Sequence, residues 1–254
     1  MPNRSKGGCA LGVTFDFPIH RPHVAPAFNE GEWVAVPPIM DMLKAAKPFF
    51  HKSPSSPGEQ FLRNIHLVEG RIYGCTGETL VEFKVGEADL PAITLSPEEI
   101  AVLAAFKQEI THISLNEERV VFLFASGEKY EAAIIAPPSS RFRQKLDKDW
   151  LLGNDLFDAT ACRKQFIEQF SALPGDSYVE VRPDGFVGYA SETDGYKIIL
   201  HADTRANETL IFDAAELLLV MKIADQIDFT GGDATFTHPG GRGFAASKTI
   251  WVRE

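Results

Sequence analysis

A repeated order of secondary-structure patterns constrains the fold of this 254-residue chain more than any other feature. Each half of the chain has the pattern of a strand, a helix and three strands, and this unit occurs twice in each half. The helix starts at Ser96 and Asp213 have the same separation as the strand starts at Ile110 and Ile227. Internal periodicity of this kind takes precedence over short motifs when a fold is inferred. The sequence therefore predicts an α+β chain built from four βαβββ units.

Helix-start signals support this repeat in both halves. Ser96 stands at an N-cap position, with Pro97 at the first helical position and Glu99 three residues after the cap. Asp213 and Glu216 have the same spacing. This pattern is the capping box, in which two side chains satisfy backbone N–H groups at the helix start. Apolar residues then recur at helical spacing after both caps, so each cap predicts a helix that packs on a core.

Shifts in composition divide the chain into four segments. Residues 1–31 are proline-rich and irregular, and they predict an extended arm. Residues 32–136 form a first predicted domain, residues 137–153 a connector that carries basic and aromatic side chains, and residues 154–254 a second domain. Two domains of this size are ordinary for globular proteins.

The composition excludes several classes of protein. The chain carries 35 acidic and 25 basic residues, for a net charge of −10, which disfavours a generally cationic nucleic-acid binder but allows a local basic patch. Its three cysteines, Cys9, Cys75 and Cys162, have no CxxC spacing, which argues against a disulfide framework or a cysteine-based zinc site and fits a reducing compartment. With no signal-peptide pattern and no run of 18 apolar residues, we expect a cytoplasmic protein with no membrane partner.

Motifs of enzymes are incomplete in this chain. His20 and His23 have a spacing that could bind a metal, but they lie in the proline-rich arm with no cysteine or carboxylate pair nearby. The glycine-rich stretches at 231–232 and 238–243 match neither a P-loop nor a dinucleotide motif and predict hairpin turns. No GxSxG context is present. We therefore expect no catalytic residue, no metal site and no cofactor, although the sequence leaves carboxylate pairing open.

Several segments of the repeat resemble the DNA sliding clamps, the processivity factors of DNA polymerases. The resemblance spans about residues 32–254 and is one of pattern, without an invariant short motif. The helix–strand–strand opening of a bacterial clamp domain is similar to LKAAKPFF (43–50), FLRNIHL (61–67) and GRIYGCT (70–76), and its closing half is similar to FDAAELL (212–218), DF (228–229) and TFT (235–237).

This resemblance implies an architecture and a set of partners. In that family each domain is a pair of βαβββ units, two helices per domain line a ring, the sheets form its outside, and six domains close it. Clamps with two domains, as in eukaryotes, archaea and T-even phages, are trimers, so the resemblance implies a homotrimer and fits a phage origin. It also implies duplex DNA bound without sequence specificity, DNA polymerase and clamp-loader peptides as partners, and a nucleoid-associated location.

Basic residues on and beside the predicted helices are the candidates for the DNA-facing surface. Lysine and arginine side chains neutralise phosphates without reading the base sequence. The alternative is that these are ordinary solvated helix charges, some of them favoured by the helix dipole, and acidic residues on the same helices make the basic lining thin. The candidates are Lys44, Lys47, Lys52, Lys107, Arg163, Lys164 and Lys222.

The segment 137–153 corresponds by position to the interdomain connector of two-domain clamps, where partner peptides dock between the connector and the C-terminus. Aromatic anchors are typical of such pockets. The alternative is that the tryptophans of this region are packed core. The candidates for partner binding are Leu146, Trp150, Leu151, Ile250 and Trp251.

Two other functions stay open at this point. The chain could be an interaction or structural protein that uses clamp-like domains without encircling DNA, or a hydrolase on an unrelated α+β fold. Basic residues on one inner surface would favour the clamp, whereas a pocket that brings histidine and aspartate together would favour the enzyme.

Overall fold

The structure is a computed structural model that describes residues 32–52, 61–86, 90–116, 119–133, 141–150, 152–189 and 197–248. Its elements follow the predicted order of four units, each a strand, a helix and three strands. The N-terminal half contains β1 (Trp33–Ala35), α1 (Met40–Ala46), β2 (Ile65–Val68), β3 (Arg71–Cys75), β4 (Thr79–Lys84), β5 (Ile93–Leu95), α2 (Pro97–Ala105), β6 (Ile110–Leu115), β7 (Arg119–Phe124) and β8 (Lys129–Ala133).

A helix follows between the halves, α3 (Arg141–Asp149). The C-terminal half contains β9 (Phe157–Asp158), α4 (Ala159–Phe170), β10 (Tyr178–Arg182), β11 (Gly185–Tyr189), β12 (Lys197–His201), β13 (Leu210–Asp213), α5 (Ala214–Ile223), β14 (Gln226–Asp228), β15 (Ala234–His238) and β16 (Gly241–Ala245).

The two units of each half exchange their first strands. In the N-terminal half, β1 pairs with β6 in the order β1-β6-β7-β8, whereas β5 pairs with β2. In the C-terminal half, β13 pairs with β10 in the order β12-β11-β10-β13, whereas β9 pairs with β14. All these pairs are antiparallel. Each unit therefore completes the sheet of the other.

One sheet joins the two halves. Strand β4 pairs antiparallel with β16, which gives an eight-stranded sheet in the order β5-β2-β3-β4-β16-β15-β14-β9. We call the β4–β16 joint the seam. Its close backbone approach requires a glycine at Gly241, where a Cβ atom would lie 2.0 Å from the carbonyl oxygen of Glu82. The halves are thus held by a continuous ladder of backbone hydrogen bonds.

The helices pack in pairs on the sheets, α1 with α2 and α4 with α5. Their apolar faces supply buried core residues such as Leu43, Leu103, Phe166 and Leu217. Burying a side chain of this size stabilises a fold by about 1.5–3 kcal/mol. The result is the two-layer arrangement of an α+β protein, with the core between helices and sheets.

The structure confirms the predicted capping box at Ser96. At Asp213 it confirms the N-cap but not the contribution of Glu216. Ser96 Oγ accepts a hydrogen bond from the Glu99 N–H (3.1 Å), and the Glu99 carboxylate accepts one from the Ser96 N–H (2.7 Å). The Asp213 carboxylate likewise accepts from the N–H groups of Ala215 and Glu216. However, the Glu216 carboxylate accepts a hydrogen bond from the Thr76 hydroxyl (2.6 Å). That side chain connects the two halves and does not complete a capping box.

The remaining boundaries differ from the prediction in a few places. The strand expected from Phe61 begins at Ile65, because residues 61–63 form a short 3₁₀ turn. The connector contains α3, although the sequence predicted no helix there. The hairpins predicted at 231–232 and 238–243 are confirmed between β14, β15 and β16. The strands expected at 11–17 and 250–252 lie outside the described residues.

Candidate functional site

The eight-stranded sheet that contains the seam buries side chains on both of its faces. Successive residues of a strand point to opposite faces. Ile72 and Val81 therefore join the core under the helices, whereas Tyr73, Leu80 and Phe244 form a second, smaller apolar cluster on the other face. We call that other face the outer face. It is covered by α3.

Two side chains one helical turn apart anchor α3 on the outer face. Phe142 and Leu146 are 4% and 1% exposed, as expected for an i, i+4 pair on one side of a helix. The Phe142 ring stacks on Tyr73 with centroids 5.8 Å apart and lies 5.0 Å from the His66 ring. Leu146, a predicted partner-binding residue, is thus placed in the packing under α3.

Trp150 follows α3 and is half-buried at the seam. Its indole Nε1 donates a long hydrogen bond to the Phe236 carbonyl (3.5 Å), and the Arg242 guanidinium lies 5.0 Å from the ring centroid. Both predictions for this side chain, packed core and partner contact, are compatible with a partly exposed ring. The other three partner candidates, Leu151, Ile250 and Trp251, lie outside the described residues.

An apolar cavity of about 210 Å³ opens beside α3 at the end of β3. Both halves of the chain and α3 contribute to its wall. Burial raises the pKa of the Cys75 thiol to about 11, so this part of the wall is uncharged. The apolar lining residues include Phe61, Leu62, Cys75, Leu80, Phe142 and Phe244. A cavity of this kind suits an aliphatic or aromatic side chain of a partner.

An ion-pair network crosses the seam on the outer face. The fully buried Glu82 carboxylate accepts hydrogen bonds from Arg71 Nη1 (2.8 Å), Arg242 Nε (3.2 Å) and the Tyr73 hydroxyl (3.1 Å). Arg242 Nη2 also donates to Asp147 of α3 (2.5 Å). The network therefore links β3, β4, β16 and α3. The sequence analysis missed it, although a glutamate inside the apolar run of β4 was a visible signal.

In the described part of the chain, each four-stranded sheet ends on one side with the last strand of a unit, β8 in one sheet and β12 in the other. Among the described residues, β8 pairs only with β7 and β12 only with β11. Both strands have five residues, and their exposure alternates in the same order. Ile199 of β12 is 50% exposed, which is unusual for a large apolar side chain in this structure. These edges carry backbone groups that another strand can pair with.

The exposed lysines among the DNA-facing candidates are weakly held. Lys44 lies 3.2 Å from Asp41 and Lys164 lies 3.8 Å from Glu168, both in exposed ion pairs within one helix. Such pairs contribute about 0–1 kcal/mol, so these lysines can exchange their carboxylate for a phosphate. Three further candidates, Lys52, Lys107 and Lys222, are also exposed, whereas Lys47 is half-buried at the end of α1.

Arg163 occupies a different position from the other basic candidates. Its Nη2 donates to the Ala224 carbonyl (2.5 Å) and to Asp225 (3.2 Å), which ties α4 to the segment between α5 and β14. The guanidinium is therefore engaged inside the fold. Its sequence position at the start of a helix did not indicate this long-range contact.

One cavity brings histidine and aspartate together, the arrangement that would favour an enzyme. It measures about 390 Å³, and its lining includes His51, Thr76, Asp213 and Glu216. Both carboxylates have structural partners there, because Asp213 caps α5 and Glu216 accepts the Thr76 hydroxyl. Within the described ranges, no group of three or more His, Cys, Asp and Glu side chains is arranged to hold a metal ion.

Two other histidines are also explained by the fold. His66 lies 3.1 Å from the Thr94 hydroxyl and 2.8 Å from the Phe61 carbonyl, and His238 Nε2 lies 3.0 Å from the Glu82 carbonyl. Burial lowers the pKa of both imidazoles. None of the helices in the described part of the chain has the length and apolarity needed to cross a bilayer.

Comparison with known proteins gives the same fold as the sequence pattern. No protein-family model matches the sequence, and no curated protein is significantly similar to it. The structure is similar to the Bacillus subtilis DNA polymerase sliding clamp, with a TM-score of 0.64 and 14% identity over 91% of this chain and 68% of the clamp. It is similar to the Helicobacter pylori β clamp bound to a DNA ligase peptide, with a TM-score of 0.64 and 11% identity over 89% of this chain and 68% of that one.

A Caulobacter crescentus sliding clamp gives a third match, with a TM-score of 0.64 and 13% identity over 92% of this chain and 69% of the clamp. At these identities the similarity shows the fold. The chain has the mixed α+β fold of the bacterial sliding clamps and matches about two thirds of each. The expected clamp-type fold is confirmed.

Proposed function

We propose that this chain is a sliding clamp, a non-catalytic ring of three copies that encircles duplex DNA and tethers DNA polymerase and other proteins to it. The domains are residues 32–136 and 154–254, with residues 137–153 as the connector. The observation that carries the proposal is the seam, in which β4 pairs with β16, together with the edges of β8 and β12 that no other described strand covers. The proposed setting is the nucleoid in the cytoplasm, with a phage as the source of the gene.

The repeat makes β8 and β12 matching halves of a second joint. Strand β8 ends the second unit as β4 ends the first, and β12 ends the third unit as β16 ends the fourth. Because β4 pairs with β16 inside the chain, β8 of one copy can pair with β12 of the next in the same manner. Such a head-to-tail contact forms a closed ring when its rotation closes. Pairing would also cover Ile199 and remove two open edges.

The helix surface supplies the contact with DNA. The exposed side chains of Lys44, Lys52, Lys107, Lys164 and Lys222 would neutralise phosphates without reading the sequence, with Lys47 beside them. Arg163 would act from inside the fold by holding α4 in place. Acidic residues on the same helices, such as Glu98 and Glu168, keep this contact loose, which suits a ring that must slide.

The apolar cavity at the seam is the proposed docking site for polymerase and clamp-loader peptides. An apolar anchor would enter the space between Leu80, Phe142 and Phe244, with Trp150 at the seam nearby. The H. pylori clamp, which has a similar fold, was solved with a DNA ligase peptide. We propose Leu146, Leu151, Ile250 and Trp251 as further contributors to this surface, Leu146 by holding α3 in place.

The first test is the mass in solution, measured by light scattering over a dilution series. We expect a trimer of the 28.0-kDa chain, about 84 kDa. The second test incubates the protein with nicked circular DNA and raises the salt concentration, which weakens phosphate contacts steeply. A ring stays on the circle and is lost when the circle is cut.

The alternative function, a clamp-like interaction protein that does not encircle DNA, gives different results. It predicts a monomer at every concentration and no difference between circular and cut DNA at high salt. Either result would overturn the ring. Peptide binding at the seam could survive both results, so the two parts of the proposal are separable.

A further inference from the structure

A second cavity at the seam lies at the start of β3, whereas the apolar cavity lies at its end. It measures about 310 Å³ and has a mainly polar wall. Arg71 and Lys84 come from the N-terminal half, Thr237, Gly241 and Arg242 from the C-terminal half, and Trp150 from the connector. Three cationic side chains thus surround one hollow in a chain whose net charge is −10.

Two of these cations are fixed before any ligand arrives. Arg71 and Arg242 both donate to the buried Glu82 carboxylate, and their side chains are only 25% and 17% exposed. Arg242 is further held by Asp147 and by the Trp150 ring. Fixed side chains lose little conformational entropy when they bind a ligand, so this arrangement is preorganised for an anion.

The network leaves donors for a ligand. A guanidinium carries five N–H donors in a planar fork, and Glu82 takes one from Arg71, at Nη1. Its fork is suited to bidentate contact with a carboxylate or a phosphate. The Thr237 side chain on the same wall can add a hydroxyl donor.

Lys84 favours the interpretation of this cavity as a binding site over that of a purely structural ion network. It is exposed on β4 and forms no ion pair with any residue that the structure describes. The buried Glu82 explains why Arg71 and Arg242 are present, but it explains neither Lys84 nor the hollow between them. The three cations of the wall carry three positive charges, and the carboxylates of Glu82 and Asp147 carry two negative charges. One net positive charge is therefore left to face the cavity.

We propose that this cavity is an oxyanion site that takes a phosphate or a carboxylate group. Because its wall comes from both halves and the connector, a bound anion would bridge Lys84 and Arg242 across the seam and stabilise that joint. This site is separate from the proposed DNA-facing surface and from the apolar cavity. It requires neither ring formation nor DNA binding.

The test titrates the full-length protein with inorganic phosphate in one arm and with succinate in another, each against sodium chloride of matched ionic strength. Calorimetry gives the affinity, and thermal unfolding gives the stabilisation. We expect saturable binding and a rise in Tm that follows ligand concentration, as for any ligand that binds only the folded state. The arm that binds more tightly identifies the oxyanion as phosphate or carboxylate.

The variant Lys84→Gln is the specific probe, because it removes the exposed cation and leaves the buried network intact. We expect it to weaken binding roughly tenfold, the effect of losing a charge-assisted hydrogen bond, with an unchanged Tm in chloride alone. Arg119→Gln, which removes an exposed cation of β7 in a different sheet, is the matched control and should bind like the wild type. No saturation beyond chloride, or an unchanged affinity in Lys84→Gln, would overturn the proposal.

Discussion

Glu82 and Arg242 lie directly opposite each other on β4 and β16, and the Glu82 carboxylate accepts a hydrogen bond from Arg242 Nε across the seam. The carboxylate has no exposure to solvent, and Arg71 and Tyr73 supply its other partners. A buried charge is tolerated only while it is paired and hydrogen-bonded. The Glu82 carboxylate therefore adds a buried, charge-dependent link to the backbone ladder that joins the halves.

Glu82→Gln should destabilise the protein by about 3 kcal/mol, because it leaves two partly buried arginines without their shared counter-charge. Denaturant unfolding at neutral pH measures the change. The control is Glu131→Gln, which breaks an exposed pair with Arg119 and should cost less than about 1 kcal/mol. Equal effects in both variants would contradict a special role for the seam network.

Glu216 gives the protein a pH-dependent stability that its glutamine variant should lack. Burial raises the pKa of this carboxyl above its ordinary 4.5, although the hydrogen bond from Thr76 opposes the shift. The folded state then holds the proton more tightly than the unfolded state. The stabilising contribution is complete below about pH 4.5 and is lost as the pH rises through the folded pKa.

Relative to the wild type, Glu216→Gln should therefore become more stable as the pH is raised from about 5 to about 8. The amide can still accept the hydrogen bond from Thr76 without carrying a charge. Urea unfolding at several pH values measures the difference. Glu168→Gln, on the exposed surface of α4, serves as the control. A difference that stays constant with pH would show that Glu216 does not titrate in this range.

A substitution at Ile199 tests whether copies of the chain associate through the edge of β12. It is exposed on the open edge of β12, and Ile199→Asp would place a charge in the proposed joint with β8. We expect light scattering to give the 28.0-kDa monomer in place of the trimer. Val102→Asp is the matched control, because Val102 is also a large exposed apolar residue but lies on α2, away from the sheet edges. A trimer that survives Ile199→Asp would place the joint elsewhere.

Cys75 can report whether α3 lifts from the outer face. Its thiol lines the apolar cavity with Phe142, and burial raises its pKa to about 11, so it should react slowly with thiol reagents. Phe142→Ala should speed its labelling by about tenfold or more, because removing a buried ring favours local opening. Mass spectrometry of the labelled peptides identifies the site.

Cys162 is the internal control for this experiment. It lies in α4, burial also raises its pKa to about 11, and it is not among the residues that line the cavity. Its labelling rate should not change in Phe142→Ala. Equal acceleration of both thiols would indicate a general loss of stability and not the release of α3.

The repeat, the caps and most strands were predictable because each has a local cause. Ser96 and Pro97 start α2 through contacts within one helical turn, and glycine at 231–232 and 240–241 marks tight hairpins. The helix α3 was missed because only Phe142 and Leu146 of its residues are apolar. The strand β9 has two residues, too few for a periodic signal.

The candidate site depended on contacts between distant residues, which one sequence does not display. The seam joins β4 and β16 across more than 150 positions, and no local pattern specifies such a partner. The engagement of Arg163 with Ala224 and the burial of Leu146 under α3 are of the same kind. The exposed lysines were predictable, since charged side chains on a helix surface remain in solvent.

The exchange of first strands has a consequence for how this chain folds during synthesis. Trp33–Ala35 finds its partner only when residues 112–114 have been made, and β5 returns to pair with a strand completed much earlier. At about 5–20 residues per second, the first strand waits several seconds on the ribosome with its backbone groups unpaired. Neither unit can then fold as an autonomous piece. A break between them by proteolysis would leave two fragments that must reassemble before either has a complete sheet.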